Sequence, residues 1–174
     1  MPRKSILTLL KGGDRRTIGR SDQVAAMVSG DPKLFPKLIA GLCSAEPLVR
    51  MRAADAAEKV TRKHREFLQP YKDELLGLMV EAQEQELRWH LAVLVPRLEL
   101  NARERHVAIS SLHRYLENHS CIVKTFALQG LVDIARNEPD IRPKVIDILH
   151  QAARDGTPAM KARSRKLLTQ LESV

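Results

Sequence analysis

The apolar residues of this chain recur as one comb, with teeth at i, i+4, i+7, i+8 and i+11, laid down four times. The copies read Val49, Ala53, Ala56, Ala57, Val60; Leu87, Leu91, Leu94, Val95, Leu98; Val123, Ala127, Gly130, Leu131, Ile134; and Met160, Ser164, Leu167, Leu168, Leu171. Nineteen of these twenty residues are apolar or glycine, Ser164 being the exception, and the copies begin 38, 36 and 37 residues apart. Steps of three and four residues put all five teeth on one face of an α-helix. Recurrence of the whole segment at a near-constant period marks a repeat architecture.

A second helix-like segment precedes each comb, carrying Leu38, Ile39, Leu42; Leu75, Leu76, Met79; Ser111, Leu112, Tyr115; and Ile148, Leu149, Ala152 in the same register. The unit is therefore a helical hairpin. Boundary residues agree with the division. Asp31-Pro32 and Thr157-Pro158 each offer a capping side chain followed by proline at the first helical position, and Ser120 caps the third comb helix. Glu46 and Glu84 share one offset in the first two copies, where a carboxylate favours the positive end of the helix dipole although it caps less well. Hairpins are expected over residues 31–66, 67–100, 101–137 and 138–174. The fold class that follows is all-α, with four hairpins stacked as a right-handed α-solenoid. Two residues interrupt the comb helices: Pro96, expected to kink the second, and Gly130, expected to admit a close neighbour in the third.

Residues 1–30 leave the pattern. Moved back by one period, the comb would place Gly12, Arg16, Gly19, Arg20 and Gln23 in a core, which none would accept. Ser21 reads as the cap of a short helix over residues 21–30 that carries Val24, Ala25, Met27 and Val28, ends at Gly30 and covers the first hairpin. Residues 1–20 read as a basic, loop-like segment. Within it Lys11 to Arg20 has three glycines and no apolar period, and should be mobile unless a partner or the first repeats hold it.

The opening of the first comb helix, Pro47-Leu48-Val49-Arg50-Met51-Arg52-Ala53-Ala54-Asp55-Ala56, resembles the HEAT-repeat family. The same motif is fainter at Leu87-Arg88-Trp89-His90 and at Val123-Lys124-Thr125-Phe126-Ala127-Leu128. The resemblance spans residues 31–174, and the chain is similar to bacterial HEAT-repeat proteins. It departs from the pattern in the third and fourth copies, where lysine replaces the usual arginine and the turns are Asn118-His119-Ser120 and Asp155-Gly156-Thr157. What it implies is a non-enzymatic scaffold that binds a protein partner on a concave face lined by the second helices. Some members of the family bind nucleic acid, and DNA glycosylases built of HEAT-like repeats supply the alternative reading. A lyase or chaperone that attaches a pigment is a third use of such repeats, and no residue here selects it.

Charge sharpens the choice between partners. The chain has 29 Lys+Arg against 21 Asp+Glu, a net +8, yet residues 21–150 hold 18 of each. The excess lies at the ends, with six basic residues and one acid in residues 1–20 and five and two in residues 151–174. A balanced array favours a protein partner. Basic ends leave nucleic acid open, through Arg15, Arg16, Arg20, Arg163, Arg165 and Lys166, or are simply solvated termini.

The register also defines a candidate partner-binding surface. The residue after each comb start is basic (Arg50, Arg88, Lys124, Lys161) and lies about 70° from the comb centre, at the edge of the core. These side chains either pair with acids and carbonyls of neighbouring turns or form a charged ladder for an acidic or phosphate ligand. One position further come Met51, Trp89, Thr125 and Ala162. Trp89, the only tryptophan, is expected to be exposed and to anchor a contact patch with Arg50, Met51 and Arg88, the other possibility being that it folds over Val93 or against an adjacent repeat.

Catalytic and metal signals are weak. There is no Gly-x-Ser-x-Gly, Gly-x-x-x-x-Gly-Lys or Gly-x-Gly-x-x-Gly, and no His-x-x-x-His, Cys-x-x-Cys or Glu-x-x-His. No catalytic residue, metal, cofactor or small-molecule substrate is expected, and the six histidines read as surface or helix-end residues. Cys43 and Cys121 are expected to be reduced. Apolar stretches such as Leu91–Val95 are far too short to cross a bilayer, and no export signal is recognised, so a cytoplasmic location is expected.

Overall fold

Every comb residue except Met160 is buried in the computed structural model of the chain, which describes residues 5–173. The described residues form ten α-helices joined by turns, with no strand among them. Packing divides the chain into two compact units, the first ending at Lys72 and the second beginning at Asp73.

The first unit holds α1 (Ile6–Leu9), α2 (Ser21–Gly30), α3 (Phe35–Ala40) and α4 (Pro47–Thr61), with 3-10 turns at Pro32–Leu34, Gly41–Cys43 and Arg65–Tyr71. Its core is built on α4, whose Ala53, Ala56 and Ala57 are fully buried and let α2 and α3 approach closely. Val24 and Val28 come from α2, and Leu38 and Ile39 from α3. Two expectations are corrected here. Residues 1–20 are not loop throughout, because α1 buries Ile6 and the following Leu10 closes over the same core; residues 1–4 of that segment lie outside the described residues. Ser21 is the first residue of α2 rather than its cap, and its buried hydroxyl donates to the Asp55 carboxylate of α4. A hydroxyl taken out of water needs such an acceptor, and a carboxylate on the neighbouring helix is stronger than its own helix terminus.

The second unit holds α5 (Lys72–Glu81, of which Lys72 belongs to the first unit), α6 (Gln85–Leu94), α7 (Ala102–Leu116), α8 (Cys121–Ala135), α9 (Arg142–Asp155) and α10 (Pro158–Glu172). Helix α7 packs on α8, and α9 on α10. The comb helices also meet one another, α6 against α8 and α8 against α10. Ser120 and Thr157 cap α8 and α10 through Val123 N–H and Met160 N–H, as the sequence predicts. Pro96 does not kink α6. The helix ends at Leu94 and passes into a 3-10 turn at Val95–Arg97, because proline has no N–H for the Ala92 carbonyl four residues back. Gly130 of α8 lies against that carbonyl: a Cβ there would stand 2.5 Å from the Ala92 oxygen.

Candidate functional site

The row of basic residues splits into two kinds. Arg50 Nη1 donates to the Ser44 carbonyl, and Arg88 Nε donates to the Ala82 carbonyl at 2.8 Å, each reaching six residues back. Both therefore close a carbonyl left open at the end of the preceding helical segment. The Arg88 guanidinium also lies 5.4 Å from the centre of the Tyr115 ring. Tyr115 itself donates its hydroxyl to the Met79 carbonyl at 2.6 Å, and burial pushes its pKa up to about 12. Lys124 and Lys161 are half-buried like the two arginines, and no such carbonyl contact is found for them among the described residues. Lys124 lines a groove of about 300 Å³ in the second unit, with Leu116, Leu128, Ile148 and Met160 as apolar walls and Asp155 at its edge.

Trp89 is half-buried, which corrects the expectation that it is exposed. Its Nε1–H donates to His90 Nε2 at 3.3 Å, and His90 Nδ1 lies 2.7 Å from the Glu86 carbonyl. The tautomer with its proton on Nδ1 satisfies both contacts. His90 is only 7% exposed, so it is neither a surface nor a helix-end residue. The cause is the helix wheel: the third residue after each comb start, Arg52, His90, Phe126 or Arg163, turns back toward the packed side, and the indole follows the imidazole inward. Met51 is half-buried as well. Arg50 and Met51 belong to the first unit, and Arg88, Trp89, Lys124 and Lys161 to the second.

A polar network joins α8 to α10. Arg163 donates to Gln129 Oε1 at 3.1 Å, Gln129 donates to Asp133 Oδ1 at 2.8 Å, and Arg136 donates to Gln170 Oε1 at 2.8 Å while its other terminal nitrogen lies 3.8 Å from Asp133. Burial holds the Asp133 carboxyl above its ordinary value, against the opposing pull of Gln129, Arg136, Arg97 and Arg163. Arg97, Asp133 and Gln170 occupy one comb offset in three successive copies, a ladder that the apolar pattern did not reveal. Arg165 and Lys166 are exposed.

The loop of the first unit is organised around one side chain. Arg52 is 2% exposed, and its guanidinium donates to the carbonyls of Leu10 at 2.9 Å, Gly12 at 2.6 Å, Asp14 at 3.0 Å and Thr17 at 3.3 Å. Gly12, Gly13 and Gly19 all take positive φ, which lets the backbone curl about it. Residues 11–20 are all exposed on the outside of this curl, Arg15, Arg16 and Arg20 included. A second tie holds the adjoining helix, where Lys59 of α4 pairs with Asp22 of α2 at 2.5 Å and with Asp55 at 2.6 Å. The charge division follows the same boundary: residues 1–72 hold 15 Lys+Arg against 7 Asp+Glu, and residues 73–174 hold 14 of each. The first unit thus carries the whole net charge. No local signal marks Arg52 for this role, because its partners lie 35 to 42 residues away and are carbonyls, which any residue supplies. No helix among the described residues is long and apolar enough to cross a membrane. Neither a protein-family model nor a curated protein matches the chain.

Proposed function

We propose that the chain is a non-enzymatic scaffold whose helical hairpins are HEAT-like and stack as a right-handed α-solenoid, and that its second unit docks a protein partner. The succession of α6 on α8 on α10, with α7 and α9 paired to their own comb helices, supports the stacking. The groove beside Lys124 carries the docking assignment. Leu116, Leu128, Ile148 and Met160 give it apolar walls, Lys124 a cation and Asp155 an anion, and the exposed Ile122, at 50% of its free area, stands two residues before Lys124 on the same helix. A partner segment that offers an apolar side chain to these walls and a carboxylate on the Lys124 side, away from Asp155, matches this surface in both shape and charge. The second unit has no net charge to attract a phosphate polymer, which favours a protein. The Arg163–Gln129–Asp133–Arg136–Gln170 network ties α8 to α10, two of the helices that line the groove.

The experiment is affinity capture from a lysate with the full chain and with the Lys124→Glu, Lys161→Glu variant, followed by titration of each captured protein in pure form. A partner that binds the full chain and loses at least ~10-fold in affinity for the variant locates the site. Partners retained equally by both would remove this groove from the function.

A further inference from the structure

We propose that the first unit binds the phosphate backbone of duplex nucleic acid, without regard to sequence, through the loop that Arg52 holds in shape. Three observations meet there. The unit has a net charge of +8 from 15 basic and 7 acidic residues, whereas the rest of the chain is neutral. A ten-residue exposed loop carries Arg15, Arg16 and Arg20 against a single carboxylate, Asp14, whose Oδ1 accepts the Arg16 backbone N–H. Finally, that loop is fixed from beneath by a buried guanidinium bound to four of its carbonyls or those just before it.

The fixing matters because ordering long side chains and a glycine-rich backbone at the moment of binding costs affinity, and a loop already held in place avoids most of that cost. The choice of arginine matters too. A guanidinium presents paired N–H donors that match two phosphate oxygens, where lysine offers a point charge. The aromatic residues of the unit are committed to one another, Phe35 to Phe67 at 5.4 Å and Phe35 to Tyr71 at 6.0 Å, so they give unpaired bases no stacking platform. A duplex, read through its backbone, is the form that such a surface fits. An anionic membrane would share the charge, but among the described residues of the unit the exposed large apolar ones are two single side chains, Ile18 and Met27, rather than the apolar face of an interfacial helix.

The test is fluorescence anisotropy of the full chain with labelled DNA and RNA duplexes of ~20 base pairs, between ~50 and ~200 mM salt, with phosphatidylserine vesicles in parallel. Three proteins are compared: the unchanged chain, the exposed-residue variant Arg15→Ala, Arg16→Ala, Arg20→Ala, and the charge-matched control Arg154→Ala, Arg165→Ala, Lys166→Ala, whose three side chains are exposed as well. The expected result is duplex binding that weakens steeply with salt, a log–log slope shallower by about 2–3 in the loop variant, and little change in the control. Arg52→Met, which leaves the three surface arginines in place, is expected to bind at least ~10-fold more weakly. If Arg52→Met does not fold, the exposed-residue variant decides alone; if it folds and binds like the unchanged chain, the fixed shape of the loop plays no part. No binding at the lowest salt, equal losses in loop variant and control, or vesicle binding without duplex binding would each overturn the proposal. Preference between DNA and RNA then names the polymer.

Discussion

The carbonyl of Ala92 and the α-carbon of Gly130 approach so closely that a Cβ on Gly130 would stand 2.5 Å from the oxygen. Two irregularities that look independent in the sequence are thus one feature. Pro96 withholds the N–H that Ala92 would otherwise receive, and the glycine of the next comb helix moves in against the same turn. Gly130→Ala would ordinarily gain up to ~1 kcal/mol in a helix interior. Here the obstacle is backbone, with Leu112 Cδ2 a further 3.0 Å contact, so α8 must shift as a body. The variant is expected to lose about 1–3 kcal/mol in urea denaturation. A gain in stability would show that the two helices are further apart.

A buried arginine organising a glycine-rich loop predicts a protease phenotype. Residues 11–20 offer trypsin several exposed basic sites, yet the Arg52 contacts hold that backbone in a closed curl that no protease cleft accepts without local opening. Arg52→Met should be cut within residues 11–20 much faster than the unchanged chain, while remaining helical by circular dichroism. The stability cost is expected to be about 2–5 kcal/mol, because charge-assisted hydrogen bonds and a filled interior volume are lost together. Gly19→Ala should act in the same direction by another route: φ is +54°, and the added Cβ would lie 2.6 Å from Arg52 Cζ. Equal cleavage rates in all three proteins would sink the assignment.

How much of this was legible depends on the range of the interaction. The comb predicts which residues are buried with one miss, Met160, since periodicity is a local property read directly from the chain. The caps at Ser120 and Thr157 are local too. What the pattern could not show was the inward turn of the third position after each comb start. That position places Arg52 and His90 in the interior, draws Trp89 partly under cover and leaves Arg163 bonded to Gln129. Polar residues there read as surface on a wheel, and only their distant partners make burial tolerable. The charge division is hidden for a related reason, because the boundary at Lys72 is set by packing and no change in local composition marks it.

Tyr115 should ionise well above the ordinary tyrosine value. Burial raises its pKa to about 12, and its hydroxyl donates to the Met79 carbonyl, so the folded chain holds this proton more tightly than the unfolded one. The stabilisation is therefore fully present below the ordinary tyrosine value of about 10 and is lost as pH rises through about 12. Absorbance of tyrosinate in the Tyr71→Phe variant, which leaves Tyr115 as the sole tyrosine, is the measurement. A midpoint near 10 in the folded protein would contradict the buried geometry. Tyr115→Phe is expected to cost about 1–3 kcal/mol at neutral pH, by leaving the Met79 carbonyl without its donor.

Ser164 is the one polar tooth of the comb, and its Oγ is buried with no hydrogen-bond partner among the described residues. A hydroxyl in that position loses its water without recovering a bond, which costs about 1–3 kcal/mol relative to a satisfied or absent group. The three preceding copies carry Ala53, Leu91 and Ala127 at the same offset, so alanine is already the residue the packing accepts elsewhere. Alanine also has the higher helix propensity, by a few tenths of a kcal/mol. Ser164→Ala should therefore raise the stability of the second unit by about 1 kcal/mol, and the slowing of amide exchange should be largest in α9 and α10, which pack directly on each other. Leu91→Ala, at the same offset in α6, should move the other way by about 2–5 kcal/mol through the cavity it leaves. If Ser164→Ala destabilises instead, the hydroxyl is bonded within the last hairpin and α10 packs in a different register from the one described.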